Sequence, residues 1–151
     1  KNMSNVCITG IEKNSFDIMV TDEFIANLQK ELNIHRLRSS WINVEFAENL
    51  IGDDLDEFHG DCDGDTDEVD IRISKNMDWK DQMITLAHEM VHAEQILRGK
   101  FVDNYIWKGR SYEKAVDNEC YGYLPWEMSA LQLQEKLYKK CYPEWASNGS
   151  E

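Results

Sequence analysis

Leu86-Ala87-His88-Glu89-Met90-Val91-His92-Ala93-Glu94-Gln95 is the stretch from which the rest of this chain is read. It holds the pattern H-E-x-x-H inside a run where Met83, Leu86, Ala87, Met90, Ala93 and Leu97 recur at helical spacing. On a helix, residues four apart share a face one turn apart, so His88 and His92 can aim two imidazoles at one point. Two zinc bonds need that geometry. With 3.6 residues per turn, Glu89 lies about 100° around the helix from His88 and about 60° from His92. It can lean over the same point without ligating, which suits a general base acting on metal-activated water.

Average residue usage produces H-E-x-x-H in roughly one chain of this length in a few hundred. Context therefore has to decide. The flanking Ile84-Thr85-Leu86-Ala87 and Met90-Val91 are among the most apolar parts of the chain. Ionisable side chains set there are partly desolvated, which is costly unless they are bonded or ligate a metal.

The 151 residues are read as a single domain with its core over about 16–142 and frayed ends. A net charge of −13 repels phosphate backbones, which argues against nucleic-acid binding. No apolar run approaches the ~18 residues of a membrane span. Cys7, Cys62, Cys120 and Cys141 show no C-x-x-C, and a chain of this size and apolarity does not need disulfides, so reduced thiols are expected. No signal-peptide pattern is visible, which points to a cytoplasmic protein, while a chain starting at Lys1 leaves secretion open. A monomer is expected.

Working outward from the central helix, Asp78 offers its N-cap and Gly99 its stop. Before it, Val69-Asp70-Ile71-Arg72-Ile73-Ser74 alternates strictly, a strand with Val69, Ile71 and Ile73 inward. Residues 41–46 predict another strand and residues 6–11 an edge strand. Residues 16–20 predict a short strand, followed by a helix over 22–36 capped by Thr21 or Asp22. Residues 47–68 predict a long acidic loop. Its Asp61-Cys62-Asp63-Gly64-Asp65-Thr66-Asp67 superficially matches a calcium loop, but Thr66 and Arg72 stand where an EF-hand needs Gly and Glu. Residues 101–112 suggest a hairpin or extended segment. Pro125 suits the first position of a last helix reaching about Lys140.

A catalytic zinc usually takes three protein ligands and a water. Downstream candidates are Asp103, Glu113, Asp117, Glu119 and Glu127. Glu127 is preferred, because it shares a helical stripe with Ala130, Leu131 and Tyr138, and Leu124 cannot form a capping box with it. Glu119 is the runner-up. His35 is read as a surface or half-buried residue rather than a ligand, and His59 has no assigned role. Tyr112, Arg110, Tyr121 and Tyr123 are the candidate oxyanion stabilisers; the sequence does not choose among them, and each reads more readily as a packing or surface residue. Gln95, one turn beyond His92, is expected to line the cleft or lie on the surface.

Residues 86–92, with Trp107-Lys108-Gly109, Tyr112 and Leu124-Pro125-Trp126-Glu127-Met128-Ser129-Ala130, resemble a family of small phage-encoded zinc metallopeptidases. That family is similar to the gluzincins and more loosely to SprT-like proteins. The resemblance spans about residues 69–140. It implies a minimal α+β zincin-like domain: a small mixed sheet, the H-E-x-x-H helix, and a C-terminal helix carrying the third ligand. It also places residues 69–74 as the zincin edge strand. The family's Pro-Trp-Glu motif continues to a Glu-Ala pair, whereas Met128 is followed here by Ser129-Ala130. SprT-like proteins carry a third histidine; none follows His92, so a glutamate ligand fits better.

The expectation is thus a zinc-dependent metallopeptidase acting on a peptide or protein, in the host cytoplasm if phage-encoded. Zn²⁺ would be held by His88, His92 and Glu127, with Glu89 as base. The alternatives are a non-catalytic zinc-stabilised or regulatory partner-binding protein, and a metal-dependent hydrolase of non-peptide amides.

Overall fold

In a computed structural model, residues 5–37, 39–103, 105–117 and 124–149 are described. The fold is α+β. Strands β1 (Val6–Thr9), β2 (Trp41–Ala47), β3 (Gly60–Gly64) and β4 (Glu68–Ser74) form one sheet in the order β1-β2-β4-β3. The pairs β1–β2 and β2–β4 are parallel, and β3 runs antiparallel to β4. Ile42, Val44 and Phe46 stand in register with Val69, Ile71 and Ile73, and all six are buried. Period-2 alternation on two neighbouring strands thus makes one apolar face, as the sequence predicts for 41–46 and 69–74.

Helices α1 (Phe16–Glu31), α2 (Trp79–Leu97) and α4 (Pro125–Cys141) bury apolar faces in the core that this sheet face shares. The stripe predicted for α2 is buried throughout, from Met83 to Leu97. Asp78 caps the helix by accepting from the Asp81 amide, and the chain leaves it through Gly99 at φ +73°. Three two-residue strands, β5 (Phe101–Val102), β6 (Ile106–Trp107) and β7 (Arg110–Ser111), fold into a small antiparallel sheet, where the sequence suggests a short hairpin or extended segment. Short helices α3 (Glu113–Asp117) and α5 (Glu144–Gly149) complete the description. Ala146, within α5, is fully buried. No helix among the described residues is long and apolar enough to cross a membrane.

Two expectations need correction, and one apparent motif resolves into a strand end and a turn. Residues 16–20 are not a strand: α1 already starts at Phe16, where the Ser15 hydroxyl accepts from the Ile18 amide. Thr21, expected as a cap, is buried mid-helix and donates its hydroxyl to the Asp17 carbonyl. Short apolar runs carry no period of their own, and here the cap settles the matter. The helix also ends earlier than expected, with Leu32 as its C-cap, leaving His35 exposed beyond it.

Next, residues 47–68 are not all loop, because β3 lies within them. It occupies the sheet edge, so β4, expected there, is interior. Gly60, Cys62 and Gly64 pair with Ile73, Ile71 and Val69, and therefore share the core-facing side. Finally, the stretch that superficially matches a calcium loop is most of β3 followed by the turn of the β3–β4 hairpin, where Asp65 accepts from the amides of Asp67 and Glu68. Cys7, Cys62 and Cys141 are free thiols.

Ser15→Ala should cost about 1 kcal/mol of stability through loss of the cap. Asp22→Ala, at an exposed mid-helix position, should stay within about 0.5 kcal/mol. Urea denaturation of the two variants checks this; the opposite ranking would restore the later helix start.

Candidate metal centre

Successive turns of α2 present His88 and His92 side by side, with ring centroids 4.9 Å apart. Glu127 enters from the first turn of α4, where the helix dipole favours a carboxylate. Its Oε1 lies 3.3 Å from His88 Nε2 and its Oε2 3.3 Å from His92 Nε2. The three side chains are largely buried, between 12% and 17% exposed. One donor atom from each lies within 4.8 Å of the others, and this group could hold a metal ion.

The donor chemistry fits such an ion. Tetrahedral bonds of 2.0–2.2 Å put neighbouring ligand atoms about 3.4 Å apart, close to the 3.3 Å between each imidazole nitrogen and its own Glu127 oxygen. His92 Nε2 is buried without a hydrogen-bond partner. Glu127 Oε2 approaches it at 3.3 Å as an ion-pair contact. A buried nitrogen left this way is costly unless something else takes its lone pair.

The opposite ring nitrogens are occupied. His88 Nδ1 lies 2.8 Å from Gln134 Oε1, and His92 Nδ1 lies 2.8 Å from Gln95 Oε1. Gln95 also donates to the Trp126 carbonyl at 3.1 Å. It therefore sits behind His92, buried, and does not line the cleft. Gln134 gave no sequence signal by itself, but it follows Glu127 by seven residues, two turns along the same face.

Glu127 is held in place by its neighbour. Trp126 is buried, with Phe101, Trp107 and Tyr112 ring centroids at 4.6, 6.3 and 5.6 Å. Tyr112, a candidate for stabilising an oxyanion, packs its ring edge-on against Trp126 and is not among the residues lining the two hollows beside the site. The Arg110 guanidinium lies over the Tyr112 ring. Ala130 is buried as the stripe predicts, but Leu131 is half exposed. Glu119, Tyr121 and Tyr123 lie outside the described residues, as does Cys120.

Glu89 is 5% exposed and lines both of two adjoining hollows of about 400 and 300 Å³. Both hollows also touch Gly60 and His88, so together they make an open groove between β3 and α4 over the α2 face. Gly60 is required there. A Cβ on it would come within 2.8 Å of Thr85 Cγ2 and 2.9 Å of the Arg72 carbonyl oxygen, close to the Glu89 side chain. Cys62 also lines the groove, and burial, with Glu89 nearby, pushes its thiol well above the ordinary value.

Electrostatics separate the two carboxylates. Burial raises Glu89 to about 7, against the opposing pull of the two histidines. Burial also disfavours the Glu127 carboxylate, but contacts with His88 and His92 outweigh it and bring that group to about 2. Burial works against charging the two rings, yet Glu127 and Glu89 prevail and raise both above the ordinary histidine value. No protein-family model, curated protein or solved structure matches this chain.

Glu127→Ala and His92→Ala should each retain well under one metal ion per chain, by elemental analysis beside the wild type. Stoichiometric metal in Glu127→Ala would remove that residue from the ligand set. Ligation needs neutral imidazoles, and both rings bind protons more tightly than the reference value of 6.5. Metal affinity should therefore fall as pH is lowered, with the loss already under way above pH 6.5. A chelator competition series across pH reads the onset.

Proposed function

We propose that this chain is a zinc-dependent metallopeptidase of zincin-like architecture, related to the gluzincin type that its motifs resemble. The observation that carries this reading is the meeting of His88, His92 and Glu127 with the buried Glu89 beside them at the base of an open groove. A His₂Glu set with borderline nitrogen donors suits zinc, and three protein ligands leave a position for water. A site that only stabilised the fold would have no use for a buried carboxyl facing the cavity.

Zinc, when bound, supplies Lewis acidity and makes water acidic enough to ionise near neutral pH. Glu89 accepts the proton of the attacking water at its carboxylate and returns it to the leaving amine. Its raised pKa suits holding a proton between those events, although a bound cation will bring the value down. The groove supports a peptide substrate. β3 ends the sheet beside it, so among the described residues one row of β3 backbone groups has no strand partner and can pair with an extended chain. Ile96, Phe101 and Trp126 add apolar wall on the α4 side.

Glu89→Gln should keep its metal and lose about 10²–10⁴-fold in peptide hydrolysis, measured on a peptide library cleaved by the wild type. Full activity in the variant would remove Glu89 as the base. Selective cleavage of non-peptide amides by the wild type would move the assignment to another hydrolase class.

A further inference from the structure

We propose that Gln95 is a positioning residue that holds His92 in the tautomer leaving Nε2 bare for a metal, and that the main-chain carbonyl of Trp126 sets this orientation. The inference rests on His88, His92 and Glu127 being the ligands. Gln95 is 2% exposed and touches both groups, with its Nε2 3.1 Å from the Trp126 oxygen and its Oε1 2.8 Å from His92 Nδ1. The directions follow from which groups can donate. A main-chain carbonyl only accepts, so the NH₂ end of the amide must face Trp126. Oε1 is then left facing His92, and an amide oxygen also only accepts. The hydrogen in that contact must come from Nδ1. A neutral imidazole carries one ring hydrogen, so Nε2 has none and presents its lone pair. His92 Nε2 is also the buried nitrogen with no hydrogen-bond partner, as a ligand atom requires.

His88 differs. Gln134 Oε1 lies 2.8 Å from its Nδ1, but the Gln134 amide nitrogen donates to no described residue. Among the described residues, no partner fixes which end of that amide faces the ring. Control by a carbonyl therefore operates on His92 alone of the two. The carbonyl belongs to the residue just before Glu127, so docking of α4 delivers the third ligand and orients the second in one event. Drawing α4 away would free Gln95, and with it the ring.

The test reads the ring directly. In metal-free wild type labelled with ¹⁵N, at alkaline pH where the ring is neutral, NMR should find the hydrogen of His92 on Nδ1. A hydrogen on Nε2 overturns the proposal without any variant. Q95M removes the acceptor and should shift His92 toward the Nε2–H form, weakening zinc binding roughly 10- to 100-fold in chelator competition. Q95E loses the bond to Trp126 but keeps an oxygen for Nδ1, so it should hold the tautomer and bind zinc within a few-fold of wild type. Equal losses in both variants would mean that Gln95 merely ties α2 to α4, and the proposal falls. If Q95M does not fold, the wild-type ring and Q95E still decide. Failure of the wild type to bind zinc would defeat the ligand assignment instead, while the tautomer remains a separate measurement.

Discussion

Trp126 lies buried under an aromatic wall, and the residue that follows it is the carboxylate that meets both imidazoles. A Trp removes about 150–250 Å² from water, which is worth on the order of 5 kcal/mol at the usual coefficient, as an upper estimate. Holding a carboxylate and two imidazoles together out of solvent costs several kcal/mol per charged group before any pairing. The two magnitudes are comparable, so the aromatic anchor can hold the polar cluster together. The β5–β7 sheet has its role here: Phe101 and Trp107 come from it, and Tyr112 directly follows it.

A second constraint acts across the groove. Inward positions of β3 carry Gly60, Cys62 and Gly64, where β2 and β4 carry branched or aromatic residues. Small side chains let α2 approach this edge closely, and Glu89 is buried by that approach. A bulkier Gly60 would push against Thr85 and the β4 backbone before it reached Glu89. The same close packing desolvates Glu89 and separates its proton affinity from that of Glu127, although both carboxylates face one pair of histidines.

Much of this was legible in advance. The α2 stripe, its Asp78 cap and the alternation of 69–74 are local patterns with a clear period, and burial follows them residue by residue. Glu127 was legible because an acid on a core-lining stripe without a capping partner needs another use. Other features left weaker traces. β3 does alternate, acidic outward and small inward, but Gly and Asp carry no strand propensity, and the pairing comes from β4. Residues 16–20 look like a strand in isolation, and only the Ser15 cap distinguishes them. Tyr112 was nominated for its polar tip, whereas its ring is used against Trp126.

The sequence by itself determined that two imidazoles share a helix face with a carboxyl to one side of them, because a 3.6-residue period fixes those directions whatever surrounds the helix. It also determined that an acid at position 127 would begin a second helix. Only the tertiary structure decided that the two helices meet with Glu127 spanning both rings, and that Gln95 and Gln134 stand behind them. Those contacts link residues up to 46 apart, and their distances depend on how aromatic and small side chains fill the space between elements. Local periodicity carries no information about that packing.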